Sequence, residues 1–251
     1  MQEETQTKKR MKKVLVFPDP HAPKEDRIAV NSVLKYAADY KPDIVVGLGD
    51  IGEFESVSHW MDDKRLKLEG LRIKLDIDAA VNLLNKFKAA APNAELIITM
   101  GNHDDWVRQY VEAHAELEGF LDLEAEYKKA GWKVIKINIP YQLGKLLLFH
   151  GMFTNEHHAK STVHAFSKSC MYGHTHTAQL HTESFYDGEK SAHSIGCLCQ
   201  MNPHYLKNRP KKWVQGFATV DIDTVNGDFF PDFIKIVKGR FSRNGKIYDG
   251  K

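Results

Sequence analysis

Five short apolar runs in this chain each lead into a polar cluster of the same chemical kind. VLVF leads to Asp19-Pro20-His21, IVVGL to Gly49-Asp50, and LIITM to Gly101-Asn102-His103-Asp104. LLLF leads to His150-Gly151, and SCMY to Gly173-His174-Thr175-His176. Short aliphatic runs of this kind read as buried strands. In an open α/β sheet the ligand site lies just beyond the strand ends. The fold must therefore bring residues spread from position 19 to position 176 to one sheet edge. What arrives there is Asp, His, Asp, Asn and three more His, an inventory suited to metal ions.

The first half of the chain alternates strand and helix. Strands are expected at 14–18, 44–48 and 95–100, with helices at 26–40 and 71–90 between them. This βαβαβ order predicts a parallel sheet with right-handed crossovers. Residues 105–130 read as two short helices broken at Gly119. In the second half, strands near 133–139, 145–149, 168–172, 192–199, 214–222 and 229–237 follow closely. Asp187-Gly188 and Asn226-Gly227 supply turns between some of them. A second, largely antiparallel sheet is the expectation. The fold class is α/β, with two mixed sheets packed together and flanked by helices. One domain is expected over 13–238, after a disordered 1–12 segment and before a loose basic tail at 239–251.

Hydrophobic residues make up 42% of the chain and charged residues 27%, an ordinary globular balance. A net charge of +2 is too small to argue for nucleic-acid binding by itself. No run of about 18 apolar residues suggests a membrane span. The N-terminus lacks the apolar core of a secretory signal. Three cysteines without such a signal point to a reducing, cytoplasmic setting. Cys197 and Cys199 alternate on one side of a strand and read as small buried hydrophobes.

The clusters also suggest roles. Asp50 has two oxygens and can bridge two cations. Asn102 offers a carbonyl oxygen; His150, His174 and His176 offer imidazole nitrogens. Two cations about 3.5–4 Å apart can clamp a phosphoryl group and generate a hydroxide nucleophile. His103, next to a ligand but pointing elsewhere, suits a general acid.

The order Asp19-x-His21, Gly49-Asp50, Gly101-Asn102-His103-Asp104, His150-Gly151, Gly173-His174-x-His176 resembles the calcineurin-like metallophosphoesterase superfamily. All five family blocks stand in family order across roughly residues 14–180. The resemblance implies a four-layer αββα sandwich and a dinuclear centre. By position it implies that Asp19, His21, Asp50 and His176 hold one metal. Asp50, Asn102, His150 and His174 would hold the other, and His103, followed by Asp104, would be catalytic. Protein phosphatases of that superfamily carry Asp-Arg-Gly after the second block and Glu after the catalytic His. Here the residues are Asp50-Ile51-Gly52 and Asp104. The Gly-Asn-His-Asp form is similar to that of repair nucleases and phosphodiesterases. The Cys-Leu-Cys strand and Arg209-Pro210-Lys211-Lys212-Trp213 resemble small phage- and prophage-encoded members.

Substrate contacts are expected from Trp106 and Arg108, which follow the catalytic block, and from His157 and His158, which follow the fourth. Arg209, Lys211, Lys212 and Trp213 fit either phosphate contact with base stacking or a solvated loop. The expected activity is hydrolysis of a phosphodiester, in DNA, RNA or a nucleotide-derived molecule, by a metal-bridging hydroxide. The cofactors are two divalent ions, Mn²⁺ first, with Fe, Zn²⁺ or Ni²⁺ as alternatives. The runner-up reactions are phosphomonoester hydrolysis and, from another class, a non-catalytic metal-binding scaffold. A dimer is compatible with the sequence, which identifies no interface.

Overall fold

A computed structural model describes residues 10–61, 63–202 and 211–251. Strand β1 (Met11–Phe17) is fully buried from Val14 onward. Asp26 caps α1 (Arg27–Tyr40), accepting from the backbone N–H groups of Ile28 and Ala29 at 3.1 and 3.0 Å. These are donors that a helix start otherwise leaves open. β2 (Ile44–Gly47) follows, then 3-10 turns at Glu55–Val57 and His59–Met61 and the short α2 (Arg65–Leu68). α3 (Ile73–Ala90) leads to β3 (Glu95–Thr99), and α4 (Asn102–Ala113) and α5 (Leu123–Lys129) lead to β4 (Lys133–Ile135). β1 to β4 pair in parallel, with Val14 opposite Ile44, Val45 opposite Leu96 and Ile98 opposite Val134.

The two-residue period of the strands divides the core. Leu15 and Phe17 face helices α1 and α3, where Phe17 stacks on Phe87 with ring centroids 4.0 Å apart. Val14, Val16, Val46 and Ile97 face the other way, onto Leu146, Leu148 and Met171 of the second sheet. That sheet contains β5 (Tyr141–Leu143), β6 (Leu146–Phe149), β7 (Ser169–Tyr172), β8 (Ala178–Phe185) and β9 (Gly188–Ile195), ordered β5-β6-β7-β9-β8. Its outer face, with Phe149, Cys170 and Tyr172, packs on α6 (His158–Phe166). The layers are therefore helix, sheet, sheet, helix, the expected αββα sandwich. Among the described residues no helix is long and apolar enough to cross a membrane.

Several details depart from expectation. The second sheet is not largely antiparallel, because β6, β7 and β9 pair in parallel at its centre. The β6-to-β7 connection is the α6 crossover, which the sequence reading did not identify; β5 and β8 were also missed. β10 (Gly216–Asp223) and β11 (Phe229–Lys235) join the first sheet, with β10 antiparallel to β1. The tail is not loose. It folds into the hairpin β12 (Arg240–Arg243) and β13 (Lys246–Asp249), burying Phe241 and Tyr248 against Tyr36 of α1. Met11 and Lys12, expected in the disordered segment, begin β1, while residues 1–9 lie outside the described residues.

Candidate metal centre

All five clusters arrive at one edge of the sandwich, on loops that leave β1, β2, β3, β6 and β7. The backbone there is strained. Asp19, His21, Asp50, His174 and His176 all have positive φ, between 42° and 65°. Non-glycine residues rarely adopt that region, at about 1–3 kcal/mol each, and such strain collects at functional sites. Two glycines permit the close approach. A Cβ on Gly101 would lie 2.2 Å from Asp50 Oδ1, and one on Gly173 would lie 1.9 Å from Asp19 Oδ2.

The side chains converge in two overlapping sets. Asp19, His21 and His176 form one, and Asp50, His150 and His174 the other, with donor atoms in each within 4.8 Å of one another. Asp50 Oδ2 stands between the sets, 3.6 Å from His21 Nε2 and 3.3 Å from His150 Nε2. Within the first set, His21 Nε2 and His176 Nε2 face each other at 3.1 Å. Within the second, His150 Nε2 lies 3.1 Å from His174 Nδ1 and 3.0 Å from Asn102 Oδ1. Imidazole nitrogens this close need a shared proton or a cation between them.

The far sides of the rings are fixed. His150 Nδ1–H donates to the Leu48 carbonyl at 2.7 Å, which leaves Nε2 for the centre. His21 Nδ1 lies 2.9 Å from Glu53 Oε2, and His176 Nδ1 lies 3.7 Å from Cys199 Sγ. Asp19 accepts from the His174 backbone N–H at 2.9 and 3.0 Å. Such outer contacts orient ligands and set their basicity. The mixed N/O donor set, its convergence and its fixed orientation all fit two divalent cations.

The calcineurin-like phosphoesterase family model matches residues 12–195. The chain belongs to that family. It is 26% identical over 255 residues to Gene 54 proteins of Mycobacterium phages L5 and D29, covering 95% of this chain and 99% of each relative. Among solved structures it is similar to vacuolar protein sorting 29 from Cryptosporidium parvum, at 13% identity, TM-score 0.48 and 96% coverage of each chain. It is also similar to the Pseudomonas putida nuclease MPE, at 12% identity, TM-score 0.42 and 87% coverage of each.

Within this phosphoesterase, carboxylates and imidazoles offset each other's charge. Burial alone would lower the His21 pKa, but the close contact with the Glu53 carboxylate and the charges of Asp50, Glu53 and Asp19 raise it to about 9. His150 is likewise desolvated, yet Asp50 and Asp19 raise it to about 10. Burial would raise Asp50, but the imidazoles of His150, His103 and His21 hold it well below the usual carboxylate range. Glu53, also desolvated, is held at about 2 by His21. These attractions mark where cations would replace protons.

His103 is placed by both ends. Its backbone N–H donates to Asp50 Oδ1 at 2.8 Å, and its Nδ1–H donates to the Glu53 carbonyl at 2.7 Å. Nε2 is therefore turned toward the centre, 4.0 Å from Asp50 Oδ2. Trp106 packs against the ring, tilted by 33° with centroids 3.8 Å apart. Burial dominates and lowers the pKa to about 4, so the free ring is neutral at pH 7.

The remaining expected site residues lie elsewhere. Asp104 does not face the centre. Its Oδ2 accepts from the Gly101 N–H and its Oδ1 from the Tyr127 hydroxyl, both at 2.9 Å, so it positions the loop from beneath. Burial and the Asp50 charge raise it to about 6. Arg108 is exposed and pairs with Asp105 and Glu112. His158 is buried, with Nδ1 2.6 Å from the Tyr172 hydroxyl and Nε2 2.8 Å from Thr177 Oγ1, which makes it a structural lock. His157 is exposed at the start of α6. Arg209 lies outside the described residues. Lys212 pairs with Glu156 at 2.9 Å, and Lys211 sits over the Trp213 ring. Trp213 meets His176 edge-on at 4.3 Å. Sequence reasoning missed Glu53 and gave Cys199 only a packing role.

Proposed function

We propose that this chain is a dinuclear-metal phosphodiesterase acting on nucleic acid or a nucleotide-derived diester. The observation that carries the reading is Asp50 Oδ2 standing between two facing sets of imidazole nitrogens. When bound, two divalent cations supply Lewis acidity to phosphoryl oxygens and a nucleophilic water at neutral pH. Mn²⁺ is the proposed cation, and Fe or Zn²⁺ suits the same donors.

The chain's own residues do the rest. Asp50, Glu53 and Trp106 fix His103 so that only Nε2 faces the reacting group. A phosphodiester carries negative charge, which favours the protonated imidazole and opposes the desolvation that lowers it. In that state Nε2–H protonates the departing oxygen. Beside His174 a pocket of about 500 Å³, lined by Thr154, Asn155, Thr175 and Gln179, gives the leaving portion room. Among the described residues the centre contains no arginine side chain, and the nearby lysines are paired, Lys24 with Glu53 and Glu55 and Lys212, on the pocket wall, with Glu156. A monoester dianion calls for such a cation more strongly than a singly charged diester does, which supports the diester. The full-length likeness to two phage proteins fits an enzyme working in a host cytoplasm.

The test is hydrolysis of bis-p-nitrophenyl phosphate against p-nitrophenyl phosphate with Mn²⁺ and with chelator, followed by single- and double-stranded DNA and RNA. The diester should be cleaved faster and chelator should abolish cleavage. Preference for the monoester would move the reading to a phosphomonoesterase; no turnover on any of them would move it to a scaffold.

A further inference from the structure

A second group of ligand-type side chains lies on the outer face of the second sheet, away from the centre. β8 is an edge strand whose residues alternate between exposed and half-buried. Its half-buried face turns Gln179, His181, Glu183 and Phe185 toward α6. His181 and Glu183, two residues apart, project from the same face. His164, in the last turn of α6, reaches the same point. His164 Nε2 lies 2.7 Å, and His181 Nε2 2.9 Å, from the same oxygen, Oε2 of Glu183. The imidazole rings are 6.4 Å apart and inclined at 62°. The edge strand thus docks on its helix partly through a polar triad instead of apolar contacts alone.

We propose that His164, His181 and Glu183 form a surface site for Zn²⁺ or a similar borderline divalent cation, with solvent completing the coordination. The three donor atoms already lie within 4.8 Å of one another. A tetrahedral zinc with bonds of about 2.0–2.2 Å places its ligand atoms roughly 3.3–3.5 Å apart. The present contacts need open by less than 1 Å, which exposed side chains on rigid elements can do by small rotations. Two imidazoles and one carboxylate favour zinc over the oxygen-loving Mg²⁺ and Ca²⁺. The position also suits a cation, since the carbonyls at a helix C-terminus carry partial negative charge. Lys160, one turn earlier on α6, adds a positive charge near Glu183 that a bound cation would oppose.

The location gives the site a consequence. Residues 151–157 run from His150 to the start of α6, and β8 begins two residues after His176. A cation held by His164, His181 and Glu183 would brace the edge strand β8 against the C-terminal turn of α6, one helix length and several strand residues away from those loops.

The test counts zinc per chain after equilibration with Zn²⁺ and removal of excess. The background is Asp50→Asn, which weakens the main centre. That protein should retain one zinc more than Asp50→Asn/His164→Ala and Asp50→Asn/Glu183→Gln, which keeps the side-chain shape. In the wild-type background the same two changes should remove one zinc and leave phosphodiester turnover unchanged. Equal zinc content with and without His164 and Glu183 would overturn the proposal.

Discussion

At the scale of the residue, the proposed centre divides into ligands, a proton donor and groups that hold both. His103→Ala should slow turnover by about 10²–10⁴-fold while leaving metal content intact, as measured by steady-state kinetics beside metal analysis. Glu53→Gln removes the carboxylate behind His21 and should weaken metal affinity by about 10–100-fold, read from the Mn²⁺ concentration that half-restores activity. Titration of the metal-free protein follows from His21 at about 9 and His150 at about 10. Both lie above the ordinary histidine value of about 6.5. The stabilisation they provide is fully present below that value and is lost as pH rises through 9 and 10. The thermal midpoint of chelator-stripped protein should therefore fall between pH 8 and 10, while loading with metal should flatten that fall. A midpoint that rose over this range would contradict the charge pairing.

At the scale of the element, the loops that converge on the candidate centre were legible because metal binding would demand particular residue types at fixed offsets from strand ends. Asp19, His21, Asp50, Asn102, His150, His174 and His176 could be found that way. Glu53 could not, since its place depends on one loop lying along another: the Glu53 N–H reaches the Ala22 carbonyl at 2.9 Å. Cys199 meets His176 across 23 positions of sequence, a distance no local pattern encodes. α6 was missed because a nine-residue helix spans under three turns, too short for its apolar stripe to repeat. Without that crossover, β6 and β7 could not be read as parallel neighbours. The tail carried a signal in Asn244-Gly245 between two aromatics, but its short basic strands masked it. Phe241 is buried among Tyr36, Phe217 and Tyr248. Phe241→Ala should lower stability by about 3–5 kcal/mol in denaturant unfolding, with no direct effect on the centre.

At the scale of the molecule, two sheets face each other across an apolar layer and deliver their loops to one edge. The first sheet contributes Asp19, His21, Asp50 and Asn102, and the second contributes His150, His174 and His176. Neither sheet can assemble the centre alone, so metal affinity reports on how the two halves are packed. Asp50 is where they meet, and the central claim is that it is shared by two cations. The direct measurement is a Mn²⁺ titration of chelator-stripped protein, following both bound metal and hydrolysis of bis-p-nitrophenyl phosphate. The account predicts turnover that saturates at two strongly bound ions per chain, and loss of both ions in Asp50→Asn. Activity complete at one ion, or two ions still tightly held without the Asp50 carboxylate, would contradict it.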